Sequence, residues 1–268
     1  MDEKARVILR CENLSKSFGA TRAVDGCSLE VQEGTITSII GPNGAGKTTL
    51  FNLISGFMRP DSGQIYFRDR DVTVLCRGSK CHVLATLGIA QSFQLPRGFG
   101  EMTILESLMV PPPLADDNAL SSAFKLLIPS RKEVSRWERE KRAIEMLREL
   151  GLEEKRNEKL QDQDAGTQKL VELGQIFLLG PSIFLLDEPL GGVSRNKAPL
   201  ILDYIKGLRE KGKTILMIEH KMEPVMDISD IIHVLVNGKV LASGSPEEIR
   251  EDERVKEAYL GVSNVGTE

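Results

Sequence analysis

One stretch decides how this chain of 268 residues folds: Gly41-Pro42-Asn43-Gly44-Ala45-Gly46-Lys47-Thr48. It fits the pattern G-x-x-x-x-G-K-[ST], follows the β-branched run Thr35–Ile40 and opens the helical pattern Lys47–Gly56. Glycines let successive backbone N–H groups point at phosphate oxygens, and the helix adds its positive N-terminal end. The pattern predicts that Lys47 reaches the β- and γ-phosphates of ATP and that the Thr48 hydroxyl ligates Mg²⁺. The predicted nucleotide-binding residues are Gly41, Pro42, Asn43, Gly44, Ala45, Gly46, Lys47, Thr48 and Thr49.

Two further strand ends carry candidate catalytic residues. The apolar run Ile183–Leu186 ends in Asp187 and Glu188, and His220 follows the run Thr214–Ile218 and one glutamate. The carboxyl ends of parallel strands are where open α/β sheets bind their ligands. Asp187 is predicted to hold Mg²⁺ through water. Glu188 is predicted to orient or deprotonate the attacking water, because phosphoryl transfer depends on positioning and charge stabilisation. A neutral His220 imidazole can donate to the γ-phosphate.

Composition excludes several classes of protein. The formal net charge is −4, and Lys and Arg are scattered among Asp and Glu, so the basic patch of a nucleic-acid-binding protein is missing. No run approaches the roughly 18 apolar residues that span a bilayer, and no apolar run follows the N-terminus. We therefore expect no nucleic-acid partner and a cytoplasmic chain, peripheral on the cell membrane, whose membrane role comes through a partner.

The order of patterns predicts an α/β fold: a P-loop NTPase core with a parallel sheet, an N-terminal antiparallel β subdomain and an inserted helical subdomain. In this reading residues 1–94 and 181–250 form the ATPase core, 95–180 the helical subdomain, and 251–268 a C-terminal helix and tail. Asn237-Gly238 between two apolar runs predicts a β-hairpin, and Glu247–Tyr259 reads as one charged helix.

Taken in order, these motifs resemble the ATP-binding cassette (ABC) ATPases over nearly the whole chain. Phe18 matches the aromatic residue that stacks on adenine in that family. Gln94, at the end of Gly88–Gln94, matches the glutamine that contacts Mg²⁺ and water. The resemblance implies membrane permease subunits as partners, and a second ABC ATPase chain, identical or different, that closes on this one when ATP binds.

Within the family, the sequence is similar to those of the ATP-binding subunits of branched-chain amino-acid importers. Val24-Asp25-Gly26, Met102–Ser107 and the terminal Glu257–Gly261 carry that likeness. The implied function is ATP hydrolysis that drives import of branched-chain or other amino acids. Lipopolysaccharide-export ATPases are close relatives, so an exporter of lipid or lipopolysaccharide is an alternative. A non-transport cassette and a regulatory ATP-binding module are others.

The chain departs from the family at the signature loop, which is roughly L-S-G-G-Q in its relatives. Asp164 replaces the serine that binds the γ-phosphate of the opposite subunit, and Thr167 replaces the glutamine. An ionised aspartate offers only acceptors, and its repulsion from a phosphate charge about 4 Å away is about 4 kcal/mol at an effective dielectric constant of about 20. This predicts a weakened site on the partner, unless Asp164 is tolerated. The loop comprises Asp164, Ala165, Gly166, Thr167 and Gln168.

Overall fold

An antiparallel sheet forms the N-terminal part of the molecule. The computed structural model describes residues 6–75, 81–92, 101–110 and 136–263. Strands of this sheet lie in the order β2-β1-β4-β5, and every neighbouring pair is antiparallel. They are β1 (Val7–Phe18), β2 (Thr21–Gln32), β4 (Ser62–Phe67) and β5 (Arg70–Asp71).

A second sheet of six strands carries the carboxyl edge on which the candidate site lies. Its order is β10-β9-β3-β8-β7-β6, with β10 antiparallel to β9 and the other neighbours parallel. All five residues of β3 and of β8 are buried, as expected for parallel strands covered on both faces. The strands are β3 (Ile36–Ile40), β6 (Ile89–Gln91), β7 (Ile183–Asp187), β8 (Thr214–Ile218), β9 (Ile231–Val236) and β10 (Lys239–Gly244).

Helices cover both faces of the second sheet. None of those in the described ranges is long and apolar enough to cross a membrane. They are α1 (Lys47–Ile54), α2 (Cys81–Leu87), α3 (Ile104–Met109), α4 (Arg136–Glu149), α5 (Ala165–Leu178), α6 (Ala198–Glu210), α7 (Met222–Ile228), α8 (Pro246–Glu251) and α9 (Glu253–Ser263).

Within the described residues, three apolar clusters hold these layers together. The first packs α1 between the two sheets, and the second joins α5, α6 and α7 to the opposite face of the larger sheet. A third lies among α3, α4 and α5, where Ile104, Leu147 and Val171 are fully buried. Helix α5 belongs to two clusters, because Leu173 faces the second and Val171 the third. The helix that begins at the signature loop is therefore packed against both the sheet and the helical region.

The predicted fold class is confirmed, and the hairpin is present between β9 and β10. Asn237 and Gly238 both have positive φ, 48° and 77°, as a two-residue hairpin turn requires. The single helix predicted over Glu247–Tyr259 is wrong, because Asp252 is extended and separates α8 from α9. Its carboxylate accepts the Arg254 N–H at 2.9 Å and so starts a new helix. The predicted domain boundaries remain a prediction.

Candidate active site

The loop between β3 and α1 is held against the rest of the core by its backbone. A Cβ atom at Gly46 would lie 2.1 Å from the Ala23 carbonyl oxygen, and one at Gly41 would lie 2.0 Å from the Leu235 carbonyl oxygen. Only glycine permits such close approach. The Gly238 N–H also donates to the Ala45 carbonyl at 2.9 Å. Strand β2 and the β9–β10 hairpin thus fix the path of the loop.

Helix α1 begins with its first backbone N–H groups uncapped by a side chain. Gly46 is the N-cap residue with φ 95°, no side chain caps the helix, and its first turn contains no acidic residue. Lys47 is buried, and its ammonium donates to the carbonyls of Gly41 at 2.7 Å and Pro42 at 2.9 Å. Burial lowers the pKa of Lys47, and the charge of Glu188 opposes that shift. The exposed Thr48 side chain lies in the same turn, so this helix end suits an anion.

Asp187 lies at the end of β7, at the same edge of the sheet. Burial raises the pKa of its carboxyl group, the nearby charge of Glu188 raises it further, and Lys169 acts in the opposite direction. The Asp187 N–H donates to the Ser92 hydroxyl at 3.1 Å, and Ser92 is itself buried. A carboxylate that repels a neighbouring carboxylate in a partly buried place is well suited to a divalent cation.

Glu188 and His220 meet across the ends of β7 and β8. The Glu188 carboxylate lies 2.8 Å from Nε2 of His220, and both side chains are exposed. Glu188 has φ 46°, in the left-handed region that a residue with a Cβ rarely adopts. Its N–H donates to the Ile218 carbonyl at 3.0 Å. The structure thus brings together two residues that are 32 positions apart in the sequence.

Of the two remaining residues predicted to contact the nucleotide or its metal, the structure describes one. Phe18 is the last residue of β1 and is 49% exposed, with the Lys16 ammonium 5.9 Å from its ring centre. Its ring is therefore open to a stacking partner. Gln94, predicted to contact Mg²⁺, lies outside the described residues.

In the signature loop, the Asp164 carboxylate caps its own helix. It accepts the N–H groups of Gly166 at 3.0 Å and Thr167 at 3.2 Å, and the Thr167 hydroxyl at 2.8 Å. The Lys197 ammonium lies 3.6 Å away. The hydrogen bond from the Thr167 side chain, with these other contacts, lowers the pKa of Asp164, so the side chain is a carboxylate at neutral pH. Ala165 is exposed and Gln168 lies in the first turn of α5.

Sequence reasoning missed three residues of the site. The Ser92 hydroxyl accepts the backbone N–H of Asp187, and the Glu219 carboxylate accepts the backbone N–H of His220. Tyr259 entered the sequence analysis only as part of a family motif. In the structure the Gly41 backbone forms a hydrogen bond with it. Burial raises the pKa of Tyr259 to about 12, and this hydrogen bond acts to lower it. The contact between Gly41 and Tyr259 joins residues more than 200 positions apart, so no local sequence pattern indicates it.

Comparisons with known proteins give the same family that the sequence motifs resemble. The family model described as "ABC transporter" matches residues 24–191, and that of "Branched-chain amino acid ATP-binding cassette transporter" matches residues 239–263. A probable branched-chain amino acid transport ATP-binding protein LivG from Methanocaldococcus jannaschii is 37% identical over 95% of this chain and 97% of its own length. The high-affinity LivG protein of Salmonella typhimurium is 38% identical over 95% and 98%.

Solved structures agree with this assignment. A nucleotide-free ATP-binding cassette from an ABC transporter superposes with a TM-score of 0.81 and 35% identity, covering 95% of this chain and 99% of that one. The ADP conformation of an ATP-binding cassette of an ABC transporter also gives 0.81 and 35%, over 96% and 99%. With the phosphate loop and the acidic strand end in place, these similarities confirm the predicted resemblance: the chain belongs to the ABC transporter family and is one of its ATP-hydrolysing subunits.

Proposed function

We propose that this chain binds and hydrolyses Mg-ATP to drive a membrane transporter that imports branched-chain or related amino acids. The observation that carries the proposal is the meeting of Glu188 and His220, 2.8 Å apart, at the sheet edge that also holds Asp187 and the phosphate loop. The amino-acid cargo is supported by the names of the relatives and by the match of residues 239–263 to the family model of branched-chain amino acid ATP-binding cassette transporters.

In this proposal the phosphate groups bind at the start of α1. The backbone N–H groups of residues 43–48 and the Lys47 ammonium take the phosphate oxygens, and the exposed ring of Phe18 stacks on the base. Lys47 must then exchange its carbonyl partners for phosphate oxygens. Thr48 and Gln94 would provide oxygen ligands for Mg²⁺, and Asp187 would hold the ion through water. Bound by these residues, Mg²⁺ would supply positive charge that offsets the charge developing on the phosphates.

Glu188 is the residue proposed to act on water. Its exposed carboxylate can orient or deprotonate a water molecule beside the phosphate loop, and His220 holds that carboxylate by a hydrogen bond. When a γ-phosphate is present, the same imidazole can donate to it instead. His220 is therefore proposed to report on the γ-phosphate as well as to hold Glu188 in place.

A second cassette and a permease complete the proposed machine. This chain has a complete phosphate loop together with Glu188 and His220. Its signature loop, however, presents the negative charge of Asp164 where the partner's ATP would approach. We infer that the ATP bound on Lys47 is hydrolysed against an intact signature loop of a different cassette, and that the site on that partner is the impaired one. A homodimer in which Asp164 is tolerated is the competing arrangement.

The test of the function uses the full chain and its Glu188→Gln variant. Assayed together with the partner cassette that supplies an intact signature loop, wild-type protein should hydrolyse ATP. The variant should bind ATP normally and lose at least about 100-fold in turnover, because binding and water activation use different residues. Co-purification with a membrane permease, and uptake of labelled leucine by that complex, test the transport role. Normal turnover by Glu188→Gln would remove Glu188 from the mechanism. Binding to a lipid-exporting permease would favour the exporter alternative, and no turnover under any condition would favour a regulatory module.

A further inference from the structure

A buried carboxylate lies directly behind the pair formed by Glu188 and His220. Glu219 is the residue between the last residue of β8 and His220, and only 4% of it is exposed. One carboxylate oxygen accepts the Leu190 N–H at 2.8 Å, and the other accepts the His220 N–H at 3.0 Å. Both oxygens are therefore used, and both partners are backbone groups of catalytic loops.

Burying a carboxylate is costly unless it is hydrogen-bonded or paired with a cation. Within the parts of the chain that the structure describes, no ion pair reaches Glu219. An apolar side chain would fill the same space at lower cost, but would leave the two N–H groups without acceptors. The local chemistry therefore indicates that the position serves to hold those two backbone groups.

The turn that Glu219 holds contains the strained residue of the site. Glu188 keeps φ 46° while its carbonyl accepts the Gly191 N–H at 2.9 Å, so residues 188–191 form a tight turn. Glu219 fixes this turn at Leu190, one residue before its end. Because the same carboxylate also binds the N–H of His220, it joins the backbones of the two loops that carry Glu188 and His220.

We propose that Glu219 is a positioning residue for ATP hydrolysis: it holds the turn after Glu188 and the backbone of His220 at a fixed spacing, so that the Glu188 carboxylate and the imidazole meet in reactive geometry. This inference rests on the catalytic roles proposed above for Glu188 and His220. It assigns Glu219 no contact with the nucleotide. Its removal should consequently affect turnover far more than nucleotide binding.

Two variants weaken the contacts that Glu219 makes, one without its charge and one with it. Glu219→Gln removes the charge and leaves one acceptor oxygen for two N–H groups, whereas Glu219→Asp keeps the charge but is too short by one methylene to reach both. A displacement of about 1 Å can lower a rate by about 100-fold. We expect kcat for Mg-ATP hydrolysis to fall by about 10- to 100-fold in Glu219→Gln and by at least about fivefold in Glu219→Asp, with KM for ATP unchanged within about twofold.

A matched control lies at the other end of the same strand. Thr214 begins β8, is fully buried, and its hydroxyl accepts the Gly34 N–H at 2.9 Å. Thr214→Val removes a comparable clamp on a loop that is remote from Glu188. We expect Thr214→Val to lower thermal stability while its kcat per folded molecule stays within about twofold of wild type.

The outcomes are distinguishable. If Glu188→Gln abolishes turnover but both Glu219 variants keep wild-type kcat, the positioning role is overturned and the proposed function stands. If only Glu219→Gln loses activity, a side chain too short to reach both N–H groups still supports full turnover, so the fixed spacing is not required and the proposal is again overturned. If Glu188→Gln itself turns over normally, the proposed function fails. Should Glu219→Gln not fold, Glu219→Asp alone decides, because unchanged kcat in that variant contradicts the proposal.

Discussion

Two helices of this molecule begin next to functional loops, and they treat their first N–H groups in opposite ways. Helix α1 starts at Gly46, which has no side chain to cap it, so its N–H groups remain for an external anion. Helix α5 starts at Asp164, whose carboxylate takes the N–H groups of Gly166 and Thr167. The first helix end can bind a phosphate, whereas the second carries its own anion. The free N–H groups at the start of a helix therefore form an anion-binding site or are capped internally, depending on the N-cap residue.

The largest expected effect comes from displacing the phosphate loop at the start of α1. Gly46→Ala would place a Cβ 2.1 Å from the Ala23 carbonyl oxygen, at a residue with φ 95°. The loop must move, and its N–H groups then no longer converge. We expect affinity for ATP, measured by calorimetric titration, to fall by more than about 100-fold.

Gly212→Ala is the control for that experiment. Gly212 also has positive φ, 73°, but a Cβ there meets nothing within 4 Å. It should cost about 1 kcal/mol of stability with ATP affinity unchanged. Equal losses of affinity in the two variants would show that backbone strain alone, and not the close approach at Gly46, governs binding.

The second effect comes from removing the negative charge at the start of α5. In a Glu188→Gln background, which stalls hydrolysis, Asp164→Ser replaces the carboxylate with a neutral hydroxyl that still caps α5. We expect an ATP-dependent dimer, measured by sedimentation, to become about 10- to 100-fold tighter, because the repulsion from a partner's phosphate is removed. Asp164→Asn, which is uncharged but has no hydroxyl, shows whether charge or the hydroxyl matters. If the Glu188→Gln chain with Asp164 in place already forms a tight dimer, the inference that the partner's ATP site is impaired is contradicted.

A third, smaller effect concerns the stability of α5. Asp164→Ala removes the cap from the helix and should lower the free energy of unfolding by about 1 kcal/mol in urea titrations. Asp162 is an exposed aspartate just before the helix and serves as the control. Asp162→Ala should change stability by less than about 0.5 kcal/mol. Similar losses in both variants would mean that the cap seen at Asp164 does not stabilise the helix.

The smallest effect is a pH dependence of the free energy of unfolding, which Asp164 at the start of α5 should cause. Hydrogen bonds from Thr167 lower the pKa of Asp164 in the folded state, so its contribution is complete above the unfolded pKa of about 3.9. It is lost as the pH falls through the lowered folded value. The stability of wild type relative to Asp164→Ser should therefore be constant above about pH 5 and decrease below about pH 4. A difference that is flat down to pH 3 would show that the carboxylate is not ionised as a cap.

Sequence patterns predicted the parts of the molecule that depend on neighbouring residues. The phosphate loop, the hairpin at Asn237-Gly238 and the strand Thr214–Ile218 all follow from local composition, and the fold class follows from their order. The break at Asp252 was missed although its cause is local, because the charged helical pattern continues on both sides. A single side chain–backbone hydrogen bond there outweighs the pattern.

The contacts that position the site could not be predicted in this way. Glu219 binds the N–H of Leu190, which is 29 residues away, and only the pairing of β7 with β8 brings the two together. In the sequence it is merely a glutamate before a candidate histidine. Asp164 shows the opposite case: its departure from the family pattern was visible, but its role as the cap of α5 required the geometry of the helix start.

The positive φ of Glu188 has a consequence for any effort to stabilise this protein. A left-handed backbone at 46° favours glycine over every residue with a Cβ. The Glu188→Gly substitution would relax the turn and also remove a charge that repels Asp187. A screen that rewards heat resistance would therefore enrich chains that bind ATP well and no longer hydrolyse it. At this position thermostability and turnover select for different residues.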